Sequence, residues 1–168
     1  MIEILRAQPA DAACLAQLRR SVWLETYRGI YPDAMLDEYD LEFYTQRDRE
    51  RMEQPNQFYY FFTDKGAPIG YFSFGPYHYG QYKDFEICLN NLYILAEYKG
   101  IGLGRQAFGL IRQHCLQHGV HKFFCGCNAN NLPAIAFYRH MGGQQGSDYD
   151  PTLPKEDQII HFEFYIGE

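Results

Sequence analysis

The sequence lacks a membrane-spanning segment, a secretion signal and an excess of positive charge. No hydrophobic run in the 168 residues approaches the ~20 that a transmembrane helix needs. Residues 1–13 lack the basic stretch and long apolar core of a signal peptide, so we expect no membrane contact and a cytoplasmic location. With 15 Lys and Arg against 21 Asp and Glu, the formal net charge of −6 would repel a phosphate backbone, which argues against a nucleic-acid partner.

Cysteine is scarce and odd in number, which argues against a disulfide framework. The five cysteines lie in apolar segments, and we expect buried free thiols in a reducing compartment: Cys14, Cys88, Cys115, Cys125 and Cys127. Three histidines and three of these cysteines fall between positions 114 and 127, but their spacing matches no zinc pattern. We therefore predict no metal site.

The composition is that of a globular protein, with 46% hydrophobic and 17% aromatic residues. Because no repeat or long linker interrupts it, we treat residues 1–168 as a single domain. Short apolar or aromatic-rich runs predict strands over 2–5, 58–63 and 69–74, and alternating residues predict strands over 122–127 and 160–166. Helical spacing and cap signals predict helices over 9–23 and 33–54, then one that ends at Gly119 and one from Pro133 to Met141. This order implies an α/β protein whose mixed sheet carries helices on its faces.

One predicted strand changes phase part of the way along. The apolar residues Ile87 and Leu89 stand at odd positions, whereas Leu92 and Ile94 stand at even ones. A phase change within one strand requires an extra residue, so we predict a β-bulge at Asn90–Asn91.

A glycine-rich segment follows this strand and opens a helix. Glycines at 100, 102 and 104 allow close approach of the backbone to a ligand, and the helix N-terminus adds partial positive charge. Lys99 and Arg105 add full charges, so the segment is typical of a phosphate site. The dinucleotide pattern G-x-G-x-x-G fits weakly, because it meets Arg105 in one register and Ala107 in the other, and no P-loop sequence is present.

Two motifs carry a family resemblance. Residues 99–104 fit the pattern [Gln/Arg]-x-x-Gly-x-[Gly/Ala], with Lys99 in the first position. Residues 131–143 fit Asn-x-x-Ala…Phe-Tyr-x-x-x-Gly-Phe, with Gly143 in place of the final aromatic residue. Together they resemble the GNAT superfamily of N-acetyltransferases. The resemblance implies a GNAT-like acyl-CoA N-acyltransferase fold: a mixed, mostly antiparallel sheet with a splayed, bulged strand and helices on both faces.

The resemblance also implies acetyl-CoA as co-substrate. Its pantetheine arm would pair with the backbone of Leu92, Tyr93 and Ile94. Asn131 would bind the pantetheine amides or cap the last helix. The pyrophosphate would bind to the loop, with Lys99 at its rim, through the N–H groups of Gly100, Ile101, Gly102, Leu103, Gly104 and Arg105.

For the chemistry, the resemblance assigns Tyr138 as the general acid that protonates the leaving thiolate, and a reference pKa of ~10 keeps a tyrosine protonated at neutral pH. The alternative is a tyrosine that faces the core. Where family members often have a glutamate as base, this sequence has Cys88. Glu86, two residues earlier, is the candidate base, and a carboxylate that faces solvent is the alternative.

The acceptor region is marked by aromatic and acidic residues. The stretch Trp23–Gly29 is similar to one that walls the acceptor pocket in the family, so Trp23, Tyr27 and Tyr31 are expected there. Residues 33–42 are acidic, and we expect Asp37 and Glu38 to attract a polyamine or another small cationic amine. A solvated acidic helix face is the ordinary alternative.

The sequence therefore predicts an N-acetyltransferase that acts on a primary amine by direct attack in a ternary complex, with a small-molecule amine as partner. Two alternatives stay open: an enzyme that acylates protein N-termini or lysines, and a catalytically weak CoA-binding sensor. A homodimer is also left open.

Overall fold

The computed structural model describes residues 1–167, which form seven strands and five helices. The strands are β1 (Ile2–Arg6), β2 (Phe58–Asp64), β3 (Ala67–Gly75), β4 (Cys88–Ile94), β5 (Lys122–Asn128), β6 (Gln144–Gln145) and β7 (Ile159–Tyr165). The helices are α1 (Ala12–Tyr27), α2 (Asp33–Asp37), α3 (Leu41–Glu53), α4 (Leu103–Gln117) and α5 (Leu132–His140).

All strands join one sheet in the order β1-β2-β3-β4-β5-β7-β6. Neighbouring strands are antiparallel, except that β4 and β5 are parallel. The mixed, mostly antiparallel sheet expected from the sequence is therefore confirmed.

Helices cover both faces of this sheet, because alternate strand residues point to opposite sides. On β2, Phe62 packs in a core cluster with residues of α4 and α5. Its neighbour Phe61 packs in a second cluster with residues of α1 and α3. Because both faces of the sheet are covered, β2 and β3 contain runs of aromatic and apolar residues rather than an alternation of polar and apolar ones.

Three parts of the secondary structure differ from the sequence-based expectation. Helix α1 continues beyond position 23 to Tyr27, and the chain turns at Arg28 and Gly29. The region expected as one helix over 33–54 is two helices, because the Asp40 side chain accepts a hydrogen bond from Phe43 N at 3.0 Å and starts a new helix. Strand β6 was missed, since two exposed glutamines carry no hydrophobic pattern.

A buried ion pair joins α1 to α3. The guanidinium of Arg19 donates to the carboxylate of Asp48, and the two residues are 1% and 0% exposed. The Arg19 guanidinium also lies 5.4 Å from the ring centre of Tyr71 on β3. A buried charge without a partner is strongly destabilising, so Arg19 and Asp48 must stay in contact. This contact holds α1 against α3, and the contact of Arg19 with Tyr71 holds α1 against the sheet.

The thiols are less uniformly buried than expected. Cys88, Cys115 and Cys125 are buried, but Cys127 is half-buried and Cys14 is exposed on α1, which corrects the sequence-based expectation. Over residues 1–167, no helix has the length and apolar character needed to cross a membrane. Within the same range, no group of three or more His, Cys, Asp or Glu side chains is arranged around a common metal position.

Candidate functional site

The site begins at the bulge in β4, which confirms the predicted phase change. Opposite β3, Asn91 pairs with Ser73 and Leu89 with Phe74, so Asn90 is the extra residue. Its side chain fixes the loop that precedes β4: it accepts from His78 N and donates to Pro76 O, both at 3.0 Å. The bulge therefore has its own polar anchors.

Beyond the bulge, β4 and β5 separate. Their parallel pairing joins Cys88 to Phe124 and Leu89 to Cys125, and the strands then diverge. The opening is a cleft of about 590 Å³ that reaches α1 on one face of the sheet, through Tyr27, and α5 on the other. The β4 backbone from Leu92 to Ile94 forms one side of this cleft, as predicted for a strand that pairs with an extended ligand.

One end of the cleft is formed by the glycine loop, and we call it the donor end. Gly100 and Gly102 have φ values of +80° and +91°, a conformation that L side chains rarely adopt. Gly102 is the N-cap residue of the 15-residue helix α4. The first residues of this helix line the cleft, and their backbone N–H groups have no partner within the helix. Lys99 and Arg105 also line the cleft, so this end combines oriented N–H groups with two cationic side chains.

This donor set fits coenzyme A. The N–H groups and cations suit a pyrophosphate, and the free edge of β4 suits the two amides of the pantetheine arm. The cleft walls include nearly all residues predicted for the donor: Leu92, Tyr93, Ile94, Lys99, Gly100, Gly102, Leu103, Gly104, Arg105 and Asn131. Ile101 is the exception, since its side chain is 56% exposed and lies outside the cleft wall. Asn131 caps α5 by accepting from Ala134 N at 3.3 Å.

Tyr138 reaches the cleft from α5. The residue is 6% exposed, and its ring packs against Phe108 and Phe162. Burial raises the pKa of the Tyr138 hydroxyl well above its usual value, and the nearby thiols of Cys125 and Cys127 raise it further. The hydroxyl therefore stays protonated over the physiological pH range.

The other end, which we call the acceptor end, is built by tyrosines. The hydroxyl groups of Tyr27 on α1 and Tyr93 on β4 lie 2.7 Å apart, and both residues line the cleft. Tyr31 and Trp23 lie behind this pair: Tyr31 stacks on Tyr27 with ring centres 4.0 Å apart, and Trp23 packs edge-on against both. Three predicted acceptor residues thus form one aromatic wall, of which Tyr27 contacts the cleft.

A contact between two loops, which we call the clasp, lies close in sequence to residues of this acceptor end. The Nζ of Lys155, in the β6–β7 loop, donates to the carbonyl oxygen of Gly29 at 2.8 Å. The same loop is held to β5, because Asn128 Nδ2 donates to Lys155 O at 2.9 Å. Gly29 lies two residues after the cleft residue Tyr27, and Asn128 directly follows the cleft residue Cys127. The clasp therefore joins the two chain segments that continue from opposite sides of the cleft.

The structure does not bring the predicted acidic residues to the cleft. Glu86 lies in the loop before β4, is exposed, and forms no part of the cleft wall within the described chain. Asp37 pairs with Arg28 at 2.8 Å on the surface, and this arginine also binds Asp33. Glu38 is exposed outside the cleft. The acidic run is thus partly neutralised and stands apart from the site, so the geometry gives no support to Glu86 as base or to an acidic acceptor wall.

Sequence reasoning missed several residues that line the cleft, among them Asn90, Asn91, Tyr98, Cys127, Phe137 and His140. Phe137 and His140 belong to the second motif and Tyr98 directly precedes the first, so motif proximity was an available signal for these three. The contribution of the Tyr93 side chain to the acceptor end was also missed, because the sequence suggested a role for the backbone of this residue alone.

Comparison with solved structures finds the same fold. The PaiA N-acetyltransferase of Thermoplasma acidophilum, solved with coenzyme A, is 18% identical, with a TM-score of 0.80 over 98% of this chain and 99% of that one. An acetyltransferase of Thermus thermophilus is 19% identical, with a TM-score of 0.72 over 99% and 97%. A ribosomal-protein-alanine N-acetyltransferase of Brucella melitensis is 20% identical, with a TM-score of 0.71 over 98% and 99%. At such identities the likeness establishes the fold alone.

No curated protein sequence is significantly similar to the chain. The sequence model of the acetyltransferase (GNAT) family, however, matches residues 17–142, a span that contains the aromatic wall, the bulge, the glycine loop and Tyr138. The chain therefore belongs to the GNAT family of acetyltransferases, which take their acetyl group from acetyl-CoA.

Proposed function

We propose that this acetyltransferase acts on the primary amine of a small molecule, by direct attack on acetyl-CoA in a ternary complex. The observation that carries the proposal is the cleft itself, which passes between β4 and β5 and reaches both faces of the sheet. The donor can then enter along β4 and the glycine loop while the amine enters past Tyr27. Two substrates held in one cleft need no covalent enzyme intermediate.

Strand β4 and the glycine loop supply the donor contacts in this proposal. The backbone of Leu92, Tyr93 and Ile94 orients the acyl arm, and the N-terminus of α4 with Lys99 and Arg105 binds the pyrophosphate. Since these contacts are made mostly by backbone groups, they fix the position of the donor without restricting the acceptor.

Tyr138 is the proton donor in the proposal. The new C–N bond forms as the C–S bond breaks, and the hydroxyl of Tyr138 gives its proton to the departing thiolate. The phenolate that remains recovers a proton from the nitrogen of the new amide. The raised pKa of Tyr138 favours this return, because a buried phenolate is a strong base.

The acceptor end supports a small amine rather than a long peptide. The hydroxyl groups of Tyr27 and Tyr93 bond to each other across the cleft wall, and in this proposal the clasp between Lys155 and Gly29 limits how far the chain beside them can open. A compact amine can pass such an opening, whereas an extended chain would require the clasp to open.

An assay of thiol release from acetyl-CoA tests this proposal. The panel contains a monoamine with a neutral tail, spermidine, and a peptide with a free N-terminus, each at the same concentration. We expect at least one small amine to exceed the peptide about tenfold or more in kcat/KM. A preference for spermidine that falls at high salt, and falls in the double variant Asp37→Asn with Glu38→Gln, would identify a polyamine enzyme.

Two other outcomes would contradict the proposal. Turnover that is fastest with the peptide would identify a protein acetyltransferase. Tight binding of coenzyme A without thiol release from any amine would identify a sensor module.

A further inference from the structure

A histidine–aspartate pair lies beside the cleft, on the face of the sheet that the acceptor uses. His161 stands on β7 opposite Gly126 of β5, and Gly126 is part of the cleft wall. A Cβ atom at position 126 would lie 3.1 Å from the Cδ2 and 3.4 Å from the Nε2 of His161. The imidazole edge that carries Nε2 therefore rests on the glycine backbone at the wall of the cleft.

Asp148 fixes which ring nitrogen of His161 carries hydrogen. The Nδ1 atom lies 2.7 Å from a carboxylate oxygen of Asp148. An ionised carboxylate accepts hydrogen bonds and cannot donate them, so Nδ1 is the protonated nitrogen. In the neutral imidazole, the lone pair is then on Nε2. This atom is buried and has no hydrogen-bond partner among the described residues.

A buried, unpartnered acceptor atom is costly, and such atoms in native proteins usually have a functional reason. The family position for a base is occupied here by Cys88, whose thiol pKa is raised well above its usual value by burial. A thiol with a raised pKa already carries its proton at neutral pH, so Cys88 cannot act as the base. Glu86 is exposed and lies outside the cleft wall. His161 is not itself a wall residue, but its Nε2 edge lies directly behind the wall residue Gly126, which has no side chain.

We propose that Nε2 of His161 accepts the proton that the acceptor ammonium loses before attack. This inference rests on the proposed function. The ammonium R–NH3⁺ gives one proton to Nε2 through a water that enters past Gly126 when the substrates bind, since no side chain at that position separates Nε2 from the cleft. The free amine then attacks the thioester carbonyl. His161 becomes an imidazolium, which Asp148 stabilises, and it releases the proton to solvent after the reaction. Tyr138 acts on the leaving thiolate, so the two residues serve separate protons.

The charged surroundings suit this role. The β3–β4 loop contributes the rings of Tyr77 and Tyr82, whose centres lie 6.3 and 4.6 Å from that of the imidazole. On β7 itself, Glu163 is bound by Lys83 Nζ and by the Tyr82 hydroxyl, each at 2.7 Å. Lys83 thus offsets the charge of Glu163, and Phe124 on β5 is apolar. Asp148 is the charged group that hydrogen-bonds directly to the imidazole.

The test compares pH profiles of kcat/KM for an amine that the wild-type enzyme acetylates. The variants are His161→Gln and, as a matched control on the exposed surface, His121→Gln. We expect His161→Gln to lower kcat/KM about 10²-fold near pH 7.5 and to remove the acid limb of the profile that a histidine base produces. Affinity for coenzyme A, measured by calorimetry, should stay within about twofold. The control should keep the wild-type profile.

A second comparison uses two acceptors of equal length, one with fluorine beside the amine to lower the amine pKa. A weaker base needs less help to lose its proton, so His161→Gln should affect the fluorinated amine less. Asp148→Asn keeps the side-chain size at a half-exposed position and should lower kcat/KM about tenfold, which guards against a folding defect in the histidine variant.

An acid limb that persists in His161→Gln, equal losses for both amines, or a loss confined to KM would overturn the inference and leave the proposed function intact. A wild-type enzyme that releases no thiol with any amine would instead refute the proposed function, and the inference with it.

Discussion

At the donor end of the cleft, the binding groups belong mainly to the backbone: the turn at Gly100 and Gly102, the N-terminus of α4, and the free edge of β4. At the acceptor end, the wall consists of side chains from segments far apart in sequence. Tyr27 comes from α1 and Tyr93 from β4, and the β6–β7 loop is joined to the turn after α1 through Lys155 and Gly29. One ligand is held by chain geometry and the other by side-chain identity.

This difference has a consequence for evolution and for experiment. Backbone groups survive most substitutions, so the donor end changes little unless a glycine or the bulge is altered. The acceptor end changes with each aromatic residue, and its shape depends on what supports those residues from behind. Single substitutions should therefore affect coenzyme A affinity at one end and acceptor selectivity at the other.

The largest effect is expected from the buried Arg19–Asp48 pair, which holds α1, the helix that carries Tyr27, against α3. In Asp48→Ala, Arg19 stays buried without its partner, and we expect the free energy of unfolding to fall by about 3–5 kcal/mol. Denaturant unfolding measures this loss. The double variant Arg19→Met with Asp48→Leu removes both charges and should recover much of it. A loss below about 1 kcal/mol in the single variant would mean that water already reaches the pair.

The second effect is chemical and belongs to the junction of the two ends. Tyr138→Phe keeps the ring and its packing but removes the hydroxyl, so kcat should fall about 10²-fold while affinity for coenzyme A stays the same. Tyr60→Phe is the matched control, because Tyr60 packs against the same core cluster away from the cleft wall. Steady-state kinetics with calorimetry separates the two quantities. Full turnover in Tyr138→Phe would remove this tyrosine from the mechanism.

The third effect is confined to the donor end. Gly102→Val places a β-branched residue at φ +91° in the N-cap of α4, and coenzyme A should bind at least tenfold more weakly, or ~1.4 kcal/mol. Gly66→Val imposes a similar strain at φ +80° in the β2–β3 turn, and it should leave the affinity unchanged. Calorimetry on both folded variants decides the matter, since equal affinities would make the loop purely structural.

The same contrast explains what the sequence could predict. A positive φ needs glycine and a bulge shifts the hydrophobic phase, so the donor end is visible as glycines at 100 and 102 and as the phase change at Asn90. The alternation of apolar and polar residues over 160–166 predicts a half-buried strand with His161 and Glu163 on its outward side. Glu163 is in fact buried, because the β3–β4 loop covers that face with Tyr82. A loop that folds over a sheet leaves no periodic signal, and neither does the Arg19–Asp48 pair, whose partners lie 29 positions apart.

The smallest effect is expected at the mouth of the acceptor end. Lys155→Gln shortens the side chain and weakens the contact with the carbonyl oxygen of Gly29, so the KM for a small amine should rise about twofold to fivefold with kcat unchanged. A wider mouth should at the same time improve the kcat/KM for a peptide amine, which makes the two acceptors respond in opposite directions. Lys65→Gln, at the exposed β2–β3 turn, removes the same charge from a residue that is not part of the cleft wall and should change neither value. If both acceptors respond alike to Lys155→Gln, the clasp does not select between them, and selectivity must come from the tyrosine wall.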